Sequence, residues 1–229
     1  MRQNRSFVIL GVTGGAGSGK TTVVKKIQEL VDTRFLHCDV IAHELMEPEG
    51  ASYKVLVQEF GEGILEPVEE QGERQVPPEV TPRPISRPRL AAAAMATAES
   101  RKRLNELTHP LVRQAVENKL KSLEREGFCG VAVIEAALLI EAGYKDICDV
   151  LWYVHAPVKD RIRRMQENRG YSEEKIKNIL EGQLSEEQFK AAADVVIENP
   201  DSETKEAGEW LAKEISRHLK EYVESTDKM

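Results

Sequence analysis

The octapeptide Gly14-Gly15-Ala16-Gly17-Ser18-Gly19-Lys20-Thr21 limits what this chain can fold into more than any other segment. It satisfies G-x-x-x-x-G-K-[ST], and it lies between an apolar run over 7–12 and a stretch that opens as a helix with Thr21-Thr22-Val23-Val24. Strand, glycine-rich turn and helix in that order make a cradle for phosphate. The glycines let the backbone wrap closely, so that successive N–H groups point at phosphate oxygens while the helix N-terminus adds its positive end. Lys20 supplies a point charge for the β- and γ-phosphates, and the Thr21 hydroxyl is a ligand for Mg²⁺. Gly15, Ala16, Gly17, Ser18, Gly19, Lys20, Thr21 and Thr22 are therefore the candidate ATP-binding residues, with Lys20 also catalytic.

The rest of the chain supplies the sheet that such a turn needs. Runs rich in β-branched and aromatic residues recur at 7–12, 35–38, 131–135, 150–154 and 195–197. They are nearly continuous in apolar residues, as strands covered by helices on both faces should be. Helical composition and three- and four-residue apolar spacing predict helices over 21–31, 101–126, 158–167, 173–181 and 202–223. Proline suits a first helical turn better than an interior, so His109-Pro110 is expected to divide 101–126 into two helices. The fold class is α/β, a five-stranded parallel sheet with helices on both faces. Six prolines within 67–88, next to an acidic stretch over 66–73, predict a loop, and the alanine-rich run 91–98 a small helix.

Composition removes several function classes. With 229 residues, 41% of them hydrophobic, the chain can bury a core of its own, and it reads as a single domain over 1–229. A net charge of −7 without a long Lys/Arg block argues against a nucleic-acid or anionic-membrane binder, because counterion release needs a broad basic face. No apolar stretch approaches the roughly 18 residues of a membrane span, and the run 7–10 is too short for a signal peptide. A cytoplasmic location and a monomer or weak homo-oligomer are expected. Cys38, Cys129 and Cys148 form no C-x-x-C pair, and the five histidines lack zinc-ligand spacing.

A phosphate loop leaves the acceptor open. The D-x-x-G and N-K-x-D motifs of GTP-binding switches are absent from the sequence. Asp39 directly follows the second strand-like run, where ligands of a parallel sheet collect. It suits a general base for a hydroxyl acceptor, or an N-cap for a helix over 40–45.

At this point the sequence resembles the dephospho-CoA kinases. The likeness runs nearly end to end: the loop 14–21, Asp39-Val40-Ile41-Ala42, Leu104-Asn105-Glu106-Leu107-Thr108-His109-Pro110, Glu135-Ala136-Ala137-Leu138-Leu139-Ile140-Glu141, and Ala193-Asp194-Val195-Val196-Ile197-Glu198-Asn199. The resemblance implies ATP and dephospho-CoA as substrates and Asp39 as both base and substrate contact. It also implies Arg87 and His109 on the substrate side of a helical subdomain over about 50–125 that includes the Pro-rich stretch 66–88, and Asn199 near the adenine. His109 serves equally as a helix-entry residue before Pro110. Glu135 reads as a second Mg²⁺ residue or as a cap on its strand end.

Arg161, Arg163, Arg164 and Arg169 follow Pro157 and suit an arginine lid over about 157–190, or a solvated basic face. At helical spacing Arg161 and Arg164 share a face and Arg163 does not. Arg164 is the candidate catalytic arginine and Arg169 a candidate ATP contact. The chain departs from the family pattern in several places: His37-Cys38-Asp39 replaces Asp-Ala-Asp, Ala137 replaces a proline, Arg161 stands where glutamine is common, Arg169 lies one place beyond the second lid arginine, the Pro-rich stretch 66–88 is longer than usual, and 91–98 lacks an expected aromatic residue. The rival readings are a kinase for another nucleoside or small alcohol, and a P-loop ATPase switch with no small acceptor.

Overall fold

The computed structural model describes residues 5–67, 82–136, 138–199 and 205–226. Most of the Pro-rich stretch expected over 66–88, the substituted Ala137 and the first residues of the C-terminal helix expected from 202 lie outside the described residues. The chain divides into two compact units, one formed by residues up to 37 together with those from 120 onward, the other by 38–119.

The first unit holds five parallel strands: β1 (Phe7–Thr13), β2 (Thr33–His37), β3 (Gly130–Glu135), β4 (Val150–His155) and β5 (Val195–Glu198), ordered β2-β3-β1-β4-β5. The five strand-like runs of the sequence are these strands, each within one or two residues of its expected ends. β1 is central, with β2 and β3 on one side and β4 and β5 on the other, an order that opens a crevice at its carboxyl end. Successive side chains of a strand alternate between faces. On one face Val8, Leu10, Val12, Val131, Val133, Trp152, Val154 and Ile197 form a single core with residues of α1 (Lys20–Leu30) and α9 (Lys205–Thr226), including Val23, Ile27, Leu211 and Ile215. On the other face Phe7, Ile9, Ala132, Ile134, Leu151 and Tyr153 are buried as well. Burial on both faces explains why these strands read as unbroken apolar runs. The unit also carries α6 (Val158–Arg169), α7 (Glu173–Glu181) and α8 (Glu186–Ala192).

The second unit is helical: α2 (Cys38–Met46), α3 (Tyr53–Phe60), α4 (Arg87–Met95) and most of α5 (Ala98–Arg125). Tyr53, Leu56, Ile64, Leu65, Ile85 and Leu90 form its core, with Leu104 and Leu107 of α5 packed against them. A bridge pairs Leu65 with Ile85, flanking the part of the Pro-rich stretch that is not described.

Three expectations need correction. Pro110 does not divide the long helix: α5 runs through it for 28 residues. The ring lies on the exposed side, where water can meet the carbonyl that loses its partner, and strong helix formers extend in both directions. The small helix begins at Arg87, not at 91, with Pro88 in its first turn, so the Pro-rich loop ends before 87. Asp39 is not an N-cap, because α2 starts at Cys38 and holds Asp39 within its first turn, where a carboxylate complements the helix dipole. Helices α3 and α8 were not expected. No helix among the described residues is long and apolar enough to cross a membrane.

Candidate active site

The glycine-rich loop joins β1 to α1 at the carboxyl end of the central strand. Gly19 sits at the N-cap of α1 with φ 86°, and no side chain caps the helix there. The first turn of α1 contains no acidic residue, so nothing opposes an anion at its positive end. Lys20 Nζ donates to the carbonyls of Gly14 (2.8 Å) and Gly15 (3.5 Å), which holds its charge over the loop. Ala16, Gly17, Gly19 and Lys20 are half-buried, Gly15 and Ser18 buried, and Thr21 and Thr22 exposed. The hydroxyl oxygens of Thr13 and Ser18 are buried without a hydrogen-bond partner.

The loop is gripped from α6 and from the end of β5. Arg161 Nε donates to Ala16 O (2.9 Å), and Arg164 Nη1 donates to Gly17 O and Ser18 O, both at 3.2 Å. Arg164 Nη2 reaches Asn199 O (3.0 Å), and the buried Asn199 donates through Nδ2 to Ser18 O (2.8 Å). Packing here is tight. A Cβ on Gly19 would lie 2.1 Å from Asn199 Nδ2, and one on Gly17, whose φ is +78°, would lie 2.6 Å from Arg161 O. Burial pulls both guanidinium pKa values below the ordinary arginine value, with electrostatic interactions with Tyr153 and Glu186 opposing this at Arg161. As the spacing predicts, Arg161 and Arg164 share a face and Arg163 turns away to pair with Glu167 (3.4 Å). Arg169 lies exposed at the end of α6, its guanidinium 5.9 Å from the Tyr171 ring centroid.

Glu135 ends β3, in register with Val12 of β1 on one side and His37 of β2 on the other. Its Oε2 lies 2.8 Å from His37 Nδ1, so the first position of His37-Cys38-Asp39 anchors this carboxylate. A carboxylate next to the root of the phosphate loop and a hydroxyl at Thr21 are hard oxygen donors, which fit a Mg²⁺ ion that also takes phosphate oxygens. At the ends of β4 and β5, His155 bridges Glu198 (Nδ1, 2.6 Å) and Glu186 of α8 (Nε2, 3.3 Å). Tyr153 stacks on Phe189 of α8 at 4.8 Å between centroids, and burial, with Glu186, pushes its phenol up to about 12.

In the second unit Asp39 is exposed on the first turn of α2, Arg87 is exposed at the start of α4, and His109 is half-buried in α5. Burial pulls the His109 pKa below its ordinary value. The residues that the sequence reading missed are His37 as partner of Glu135, His155, and Gln183, whose Oε1 accepts from Ala16 N–H (3.2 Å). Nothing in the sequence singles out Gln183. The Ser185-x-x-Gln188 capping box beside it was a readable sign of α8.

Comparison with known proteins bears on the whole of this arrangement. The dephospho-CoA kinase family model matches residues 8–206. A dephospho-CoA kinase of Geobacter sulfurreducens is 36% identical over 191 residues, covering 83% of this chain and 89% of that protein. One from Corynebacterium diphtheriae is 32% identical over 216 residues, covering 94% and 99%. Among solved structures, TT1252 from Thermus thermophilus superposes with a TM-score of 0.71 at 26% identity, covering 94% of this chain and 99% of that one. A shikimate kinase from Bacteroides thetaiotaomicron (TM-score 0.50, 15% identity, 95% and 98% covered) shares the fold. With a family match that takes in both the phosphate loop and the inserted helical unit, the chain belongs to the dephospho-CoA kinase family.

Proposed function

We infer that the protein transfers the γ-phosphate of ATP to the 3′-hydroxyl of dephospho-CoA, giving CoA and ADP, the last step of CoA biosynthesis. The observation that carries this reading is the family match over 8–206, which spans the phosphate loop as well as the helical unit 38–119.

The roles of individual residues follow from phosphoryl-transfer chemistry, in which positioning and charge stabilisation supply most of the rate. The amides of 15–22 bind the ATP phosphates, and Lys20 places its ammonium against the β- and γ-phosphates as charge shifts toward the leaving oxygen. Arg164, fixed to the loop carbonyls, adds positive charge beside them. Asn199 braces the loop through Ser18 O, and Arg169 contributes to the ATP side. Asp39 takes the proton of the acceptor hydroxyl as it attacks phosphorus. Arg87 and His109 bind the acceptor from the helical unit. Thr21 and Glu135 are the residues that would hold Mg²⁺, which neutralises charge on the β- and γ-oxygens when bound. The Glu135–His37 hydrogen bond then orients the carboxylate, as outer partners of metal ligands do.

The test is ADP release from Mg-ATP with dephospho-CoA, adenosine, AMP and shikimate offered separately. Turnover with dephospho-CoA well above the other three is the expected result. A rate with dephospho-CoA no higher than background hydrolysis would remove the assignment.

A further inference from the structure

Gln183 follows Gly182, the C-cap of α7, and precedes the capping box of α8. Its Oε1 accepts two hydrogen bonds, from Ala16 N–H at 3.2 Å and from Arg161 Nη2 at 2.7 Å. Arg161 Nε closes the ring by donating to Ala16 O at 2.9 Å. These groups lie directly against the loop, for a Cβ on Gly15 would stand 2.2 Å from Arg161 Nη2 and 2.9 Å from Gln183 Oε1. An oxygen that accepts jointly from a phosphate-loop amide and a guanidinium has the bonding partners of a phosphoryl oxygen.

We propose that Gln183 Oε1 holds the place of an ATP phosphate oxygen in the nucleotide-free protein and is displaced when ATP binds. The proposal rests on the kinase reading only in taking ATP as the nucleotide. A placeholder is favoured because a half-buried N–H and a half-buried guanidinium N–H without an acceptor are costly. A neutral amide suits the role, since it satisfies both donors yet is a weaker acceptor than a charged phosphoryl oxygen. Displacement releases the connection between α7 and α8 from the loop, so nucleotide occupancy is transmitted to the segment that carries Phe189 and the Glu186–His155 contact.

A contact present only in the free protein opposes binding by its own worth. Its removal destabilises the free state, leaves the complex untouched and tightens the ligand. For hydrogen bonds of this kind, Gln183→Ala should bind the non-hydrolysable ATP analogue AMP-PNP about 2- to 10-fold more tightly. Gln183→Glu puts a carboxylate on Arg161 that must be expelled by an anion, and should weaken AMP-PNP about 10-fold or more. The experiment is calorimetric titration of AMP-PNP with Mg²⁺ into wild type and both variants, with melting temperatures measured with and without the nucleotide. The expected pattern is a lower melting temperature for Gln183→Ala without nucleotide, and none of that deficit at saturation. Unchanged or weaker binding by Gln183→Ala, near wild-type binding by Gln183→Glu, or a deficit that persists in the complex would each overturn the proposal. Dephospho-CoA is absent from these titrations, so such a result leaves the acceptor assignment standing. A wild type that bound no AMP-PNP would overturn the placeholder and the kinase reading together.

Discussion

Replacing Gly17 by alanine would force a side chain against the backbone of α6, where it lies beside the phosphate loop. Two costs arise. Gly17 has φ +78°, and a left-handed conformation costs an L-residue roughly 1–2 kcal/mol. The new Cβ would also stand 2.6 Å from Arg161 O and 3.0 Å from Arg161 Cα, where ordinary contact begins at 3.4 Å. That neighbour cannot swing aside, because it is main chain in the first turn of α6, held by Arg161 N donating to Pro157 O at 3.0 Å. Overpacking of this kind adds about 1–3 kcal/mol. Gly170 is the matched control, with φ +61° at the C-terminal end of the same helix and nothing within 4 Å of its Cβ position. Gly170→Ala should therefore lose only the conformational part, about 1–2 kcal/mol, and Gly17→Ala the sum of both, about 2–5 kcal/mol. For a chain of this size these correspond to melting temperatures lower by about 2–8 °C and about 4–20 °C. Thermal unfolding of both variants and the wild type, followed by far-UV circular dichroism without nucleotide, measures the difference. If the two variants melted together, the close approach of loop and helix would not be what requires glycine at position 17.

Three further predictions concern single groups. Asp39→Asn should lower kcat roughly 100-fold or more while leaving the affinity for AMP-PNP unchanged, which steady-state kinetics and calorimetry report together. Asp149 accepts from Arg5 Nη2 (2.6 Å) and Ile9 N–H (2.7 Å) in a largely buried position, so Asp149→Ala should cost about 3 kcal/mol in denaturant unfolding by stranding both donors. His109 takes up its proton at lower pH in the folded chain than the ordinary 6.5 of the unfolded one, because burial disfavours the charged form. Its contribution to stability is thus full above about pH 6.5 and lost as pH falls through the folded value, so His109→Gln should flatten the decline in stability between about pH 7 and about pH 5.

What the sequence revealed and what it hid follow from which interactions are local. The strands β1, β3 and β4 could be read because both of their faces are buried, which leaves continuous apolar runs that no amphipathic helix would share. The phosphate loop could be read because its geometry demands glycine at positions such as Gly17 and Gly19, where a Cβ has no room. The pairing of Arg161 with Arg164 followed from helical spacing alone. Helix α3 escaped notice because Tyr53-Lys54-Val55-Leu56-Val57 is as rich in β-branched and aromatic residues as a strand, and its identity comes from packing on Ile64, Leu65 and Ile85. The Pro110 expectation failed because a local preference was outweighed by 28 residues of helix around it. At the site, Gln183 and Ala16 are 167 residues apart and His37 and Glu135 are 98 apart, so only the folded sheet brings these partners together.

The most direct test of the central claim is the fate of the γ-phosphate. ATP carrying a labelled γ-phosphate is incubated with the protein, Mg²⁺ and dephospho-CoA, and the products are separated and identified by mass. The account predicts CoA that bears the label on its 3′-oxygen, formed in step with ADP. Label released as inorganic phosphate at the rate of ADP formation, with dephospho-CoA recovered unchanged, would contradict it.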